Sequence, residues 1–176
     1  MNARRPATQA EARALASAVR LRILRLCLDA ALTNKEIAER LGANPATTLH
    51  HVRTLVDTGF LAAQPVRRGS RGSREVPYQA TRKSWTLDVR EAGIGGSGQA
   101  MIDAFLAEVR LIDTDRADLN RLGLRLTDTD LDELATRLNK LLNEYAARPP
   151  DPSGKPYSLF VALYEDVSRT RSTAAS

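Results

Sequence analysis

Two helix-start signals in close succession constrain this chain more than any other feature. Thr33 and Glu36 have capping-box spacing: the Thr33 hydroxyl can accept from the Glu36 amide while the Glu36 carboxylate reaches back. A helix is expected from there, with Ile37, Ala38 and Leu41 on one apolar face and Gly42 where the chain must turn. Asn44 before Pro45 repeats the signal, since Asn is a good N-cap and proline at the first helical position lacks only an N–H that would have no helical partner. The second helix is expected from Pro45 to Thr58 and ends before Gly59. A helix, a tight turn and a second helix therefore succeed one another.

Helical spacing turns Thr48, Val52, Leu55 and Val56 toward a core and leaves Thr47, His50, Arg53 and Thr54 outside. The next segment alternates and then breaks: strands are expected over 61–66 and 75–81, around a tip rich in arginine, glycine and serine. Between Arg67 and Arg74 there is no acid and no large apolar residue, so this loop cannot pack into a core but can follow a charged surface. Helix-turn-helix plus basic β-wing is an arrangement that fits duplex DNA. The candidate DNA-binding set is Asn44, Thr47, Thr48, His50, Arg53 and Thr54 with the wing arginines Arg67, Arg68, Arg71 and Arg74. Within it Thr47 and His50 are placed to reach bases and Arg53 to reach phosphate.

Charge is divided in the same sense. Residues 1–83 hold 15 Lys or Arg against 6 Asp or Glu, and residues 84–176 hold 11 against 15. The basic surface thus belongs to the half that carries the helix-turn-helix, as binding to phosphate requires. The alternative partner classes for such a domain are RNA and protein; a protein-docking surface would be expected to carry fewer charges and more aromatics.

The stretch from 14 to 81 resembles the winged helix-turn-helix domain of the ArsR (arsenical-resistance repressor) superfamily of bacterial transcription regulators. The resemblance rests on LASAVRLRILRLCL, NKEIAERLGANPATTLHHVRTLVDTGFL and VPYQAT, and covers roughly 70 of the 176 residues. It implies a homodimer on a two-fold operator, usually repressing transcription, with the helix after the wing at the dimer interface. It also implies a structural place for His51. The chain departs from the metal sensors of that superfamily: their cysteine pair on the supporting helix has no counterpart in LTNKEIAER, so arsenic chemistry is not expected. Cys27, the single cysteine, lies between Leu26 and Leu28 and reads as core packing. His50 and His51 point about 100° apart on a helix and do not readily share a metal, so no metal and no cofactor are expected.

No enzyme is expected either. There is no Walker loop, nucleophile elbow or zinc-hydrolase spacing, and the glycine-rich GIGGSG lacks both a following lysine and a preceding apolar strand. With no run of about 18 apolar residues, no apolar signal core and one thiol, the expected setting is the cytoplasm, away from membranes.

The expected organisation is mainly α with small β, an α+β chain. Residues 1–9 form a flexible start, 10–83 the winged helix-turn-helix, 84–98 a linker, 99–167 a dimerisation or effector region and 168–176 a flexible tail. In the fourth segment Met101, Ile102, Phe105, Leu106, Val109 and Ile112 recur at helical spacing. Leu122, Leu124 and Leu126 alternate as a half-buried strand would, Thr127 caps a helix with Asp128 and Asp130 in its first turn, and YSLFVALY has the composition of an apolar strand. A short β-α-β element is thus expected. Trp85, Phe105, Tyr145, Tyr157 and Phe160 would suit a pocket for a small effector, but filling of the core or dimer seam is the better reading, because nothing specifies a ligand.

Overall fold

The computed structural model describes residues 4–69, 72–89 and 92–170. The chain divides into two compact units between Leu119 and Asn120.

In the first unit a two-residue strand, β1 (Arg5–Pro6), leads into α1 (Gln9–Leu15) and α2 (Ala18–Leu26), and a second short strand, β2 (Leu32–Thr33), comes after them. Next come α3 (Asn34–Leu41) and α4 (Pro45–Asp57). Both expected caps form. Thr33 and Glu36 make the reciprocal capping box, and Asn44 Oδ1 accepts from the Ala46 amide at 2.8 Å. Gly42 and Gly59 adopt φ of 63° and 73°, the left-handed geometry that lets each helix end in a sharp turn without a Cβ penalty. Asn34 adds a tie between the two helices, its amide donating to the Pro45 carbonyl at 2.9 Å.

The wing is built from four further strands. β3 (Leu61–Ala63) and β6 (Pro77–Ala80) pair antiparallel, with β2 on the other side of β6, giving the order β2-β6-β3. Beyond them β4 (Arg67–Arg68) and β5 (Arg74–Glu75) form the outer hairpin. The core of this unit is Ala12, Leu15, Ile23, Leu24, Cys27, Ile37, Val52, Leu55, Phe60 and Leu61 with their neighbours. It packs α1, α2, α3 and α4 with the three-stranded sheet, so the outer surface of α4 and the wing are carried on one shared core.

Two expectations about segment boundaries differ from the structure. Part of the expected flexible start is paired: β1 runs parallel to β7 (Leu87–Asp88), and Ala7 N donates to Asp88 O at 2.8 Å. The apolar helix beyond the linker, α5 (Ser97–Val109), belongs to the first unit and packs on α2 and α1. Its buried residues are Ala100 and Ala104, whereas Met101, Ile102 and Leu106 are exposed. Small side chains let the helices approach closely, and the larger apolar row faces outward.

The second unit holds α6 (Asp128–Ala147) and the short α7 (Val167–Thr170). Thr127 caps α6 with Asp130 in a capping box, as its sequence implies. The expected β-α-β element is corrected: residues 118–127 and 155–166 form no strand. Alternation marks which side chains share a face, but a strand also needs a partner backbone in register, and no local pattern supplies one. The α6 helix has no fully buried residue, and Leu122, Tyr157 and Leu159 are 78%, 88% and 72% exposed. Among the described residues no helix is long and apolar enough to cross a membrane.

Candidate nucleic-acid interface

The outer face of α4 is set by which residues its inner face spends on the core. Val52 and Leu55 are wholly buried and Phe60 seals the helix end. Thr47, His50 and Arg53 are thereby exposed along one side. Thr54, beside them, is half-buried and its hydroxyl donates to the His50 carbonyl at 3.1 Å. Asn44 is exposed, with its side-chain oxygen used for the cap.

Thr48 is corrected. It is 1% exposed and its hydroxyl donates to the Asn44 carbonyl at 3.0 Å, so it packs beneath the helix and cannot reach a base. Helical spacing placed it one step from Thr47, which is enough to turn it inward.

The two histidines diverge as expected. His50 is exposed, whereas His51 is half-buried with Nδ1 enclosed and without a hydrogen bond among the described residues. Burial lowers the pKa of His51, and the nearby Arg20 and His50 add to that shift, so the neutral ring is favoured. Their centroids are 5.7 Å apart with the planes 59° to one another. Among the described residues no three His, Cys, Asp or Glu side chains gather into a set that could hold a metal ion. Cys27 is fully buried, and burial pushes its thiol up to about 11.

The wing has two chemically different faces. In β4 successive side chains point oppositely, and the register pairs Arg67 with Glu75 and Arg68 with Arg74. On one face, Arg67 Nη2 donates to Glu36 Oε1 at 2.6 Å and its Nε lies 3.6 Å from Glu75 Oε2. On the other, Arg68 and Arg74 stand opposite one another and both are exposed. Like charges in directly opposed positions cost stability unless an anion lies against them. Neither forms an ion pair among the described residues. Val66, Gly72 and the three arginines line an open cleft of about 480 Å³ at this end. Arg71 lies outside the described residues.

A second polar cluster holds the far end of α4. Glu11 is 5% exposed and receives Arg5 in a bidentate pair at 2.7 and 3.0 Å, together with Lys83 Nζ at 2.7 Å. Lys83 also donates to the Thr58 carbonyl at 2.6 Å and lies 5.2 Å from the centre of the Phe60 ring. These contacts join residues far apart in sequence, so no motif announces them. The period of two in β4, by contrast, does signal that Arg67 and Arg68 face opposite ways.

The aromatic residues considered for an effector pocket do not form one group within either unit. Trp85 lies under the Arg4 guanidinium at 4.4 Å, and Tyr145 under that of Arg148 at 3.9 Å. Phe105 belongs to the first unit, and Tyr157 and Phe160 to the second.

Residues 15–68 match the family described as "Helix-turn-helix domain", a stretch that runs from the end of α1 through β4. No curated protein matches the chain. Among solved structures, reduced HlyU from Vibrio cholerae is similar at 20% identity and a TM-score of 0.32, over 57% of this chain and 84% of its own. A mutant of ZitR from Lactococcus lactis in the apo form is similar at 19% identity and a TM-score of 0.35, over 74% of this chain and 83% of its own. The transcriptional regulator SlyA is similar at 16% identity and a TM-score of 0.32, over 73% of this chain and 74% of its own.

Proposed function

We propose that this protein is a double-stranded DNA-binding transcription regulator in which α4 reads base edges and the outer face of the wing grips phosphate. The observation that carries this is the cross-strand pair Arg68 and Arg74, two exposed guanidinium groups set opposite one another beside a helix that presents Thr47, His50 and Arg53. A phosphate backbone is the partner that turns the repulsion within this pair into binding. Thr47 and His50 carry the hydrogen-bonding groups that base edges require, and Arg53, Arg68 and Arg74 supply sequence-independent attraction. Arg71 belongs to the same proposed phosphate-binding set by its place in the sequence.

The regulator acts as a homodimer and represses transcription, as the resemblance to the ArsR superfamily implies, and its composition suits a cytoplasmic setting. The exposed row Met101, Ile102 and Leu106 on α5 is the surface proposed for the dimer seam. A small effector would act through the second unit, where Leu122, Tyr157 and Leu159 stand exposed.

The test is recovery of bound fragments from a random duplex pool with the purified full chain, then titration of the enriched site at several salt concentrations. An inverted repeat with half-sites about one helical turn apart is expected, with affinity falling linearly on a log–log plot against salt. No enrichment, or binding indifferent to sequence, refutes the assignment.

A further inference from the structure

Arg67 resembles its neighbours in sequence, yet it is committed elsewhere. Its guanidinium reaches across 31 residues of sequence to Glu36, the residue that completes the N-terminal cap of α3. The two oxygens of Glu36 are divided between these tasks. Oε2 accepts from the Thr33 amide at 2.7 Å and the Thr33 hydroxyl at 2.9 Å, while Oε1 accepts from Arg67 at 2.6 Å. The cap therefore holds the carboxylate at a defined place on the helix-turn-helix, and the wing is fastened to that place. Glu75 closes on Arg67 from the paired strand, and Gly69 makes room for it: a Cβ there would collide with the Glu75 carboxylate and lie 2.7 Å from Ser73 Oγ.

We infer that Arg67 is a positioning residue and not a phosphate contact: the Glu36–Arg67 pair sets the wing against the supporting helix, so that Arg68 and Arg74 on the opposite face meet the backbone. This deepens the DNA-binding proposal above and rests on it for its consequence, while the fastening itself is a property of the free protein. With two carboxylates against it, the Arg67 charge is already compensated and would release no phosphate counterion on binding. The charges of Arg68 and Arg74 are available.

The experiment compares Glu36→Gln, Arg67→Gln, their double variant and Arg68→Gln in the full chain. Gln at 36 keeps the capping box, so α3 stays formed. In the absence of DNA, amide hydrogen exchange over 67–69 and 72–75 is expected to quicken in the first three variants and not in Arg68→Gln, where relief of the Arg68–Arg74 repulsion acts in the opposite sense. Equal exchange in all the variants and the parent overturns the fastening, whatever the partner. With the enriched duplex, Arg67→Gln is expected to lose about two- to fivefold in affinity, the size of a partly exposed ion pair, with the salt slope unaltered. The double variant should be no weaker than either single one. Arg68→Gln should lower the slope by about 0.9, one phosphate's share. A slope reduction of that size in Arg67→Gln, or losses that simply add in the double variant, overturns the inference and makes Arg67 a phosphate contact. Absence of duplex binding by the parent protein refutes the DNA-binding proposal separately, and the exchange result still decides the fastening.

Discussion

Replacing Glu11 with alanine should destabilise the first unit by about 1.5–3 kcal/mol. The carboxylate lies at 7% side-chain exposure and makes four hydrogen bonds: two from Arg5, one from Lys83 and one from the Thr8 amide at 2.8 Å, which completes a capping box on α1. The cap bond contributes roughly 0.5–1 kcal/mol. The Arg5 pair adds little, because that side chain is 51% exposed and water screens it. The Lys83 bond is the most protected, with both side chains largely enclosed, and is worth about 1–2 as a charge-assisted bond. Lys83 keeps the Thr58 carbonyl and can extend to solvent, so the larger cost of stranding a buried charge does not apply. Denaturant unfolding at pH 7, followed stepwise to pH 3, measures the difference. The hydrogen bond from Arg5, then those from Lys83 and Thr8, hold the Glu11 carboxyl far below its ordinary value of 4.5. A carboxylate depressed on folding stabilises above its unfolded pKa and loses that contribution as pH falls toward the folded value. The gap between parent and Glu11→Gln, which keeps the cap, should therefore be full at pH 7 and shrink below about pH 5. A loss under about 0.5 kcal/mol for the alanine variant, or a gap to Glu11→Gln that does not vary with pH, would refute this account of the cluster.

Thr47→Ala should alter which base is preferred at one operator position by about 1–3 kcal/mol, whereas Thr48→Val should cost about 1 kcal/mol of stability and leave the preferred sequence unchanged; selection of bound sites with each variant separates the two. Cys27, with its thiol pushed up to about 11 by burial, should resist alkylation at pH 8 in the folded protein and react on unfolding; rapid labelling of the native chain would contradict that placement. Leu106→Lys on the exposed face of α5 should yield a monomer by sedimentation velocity with helix content intact, whereas Ala104→Leu, on the face against α2, should lower stability by about 1–3 kcal/mol. A Leu106→Lys protein that sediments as the parent does would exclude α5 from the proposed dimer seam.

The chain settles by itself whatever can be decided within a turn of backbone. Thr33 with Glu36, Asn44 with Ala46 and Thr127 with Asp130 each start a helix, because donor and acceptor lie two or three residues apart and meet whenever the helix begins. Gly42 and Gly59 end helices for an equally local reason, their positive φ. The order of helix, turn, helix and basic hairpin comes from these signals, and so does the exposure of Thr47, His50 and Arg53. Tertiary structure decided the rest. The alternating segment around Leu124 and the continuous apolar run around Val161 read as strands, but pairing depends on a second backbone in register, which neither pattern provides. Helical spacing gives α5 an apolar stripe, but close approach to α2 selected Ala100 and Ala104 for burial and left Met101, Ile102 and Leu106 outside. Arg67, indistinguishable in composition from Arg68, faces Glu36 only because the hairpin register and the cap of α3 bring them within 2.6 Å. Charge and hydrophobicity can be read one residue at a time, whereas a side chain's partner depends on where the rest of the chain has folded.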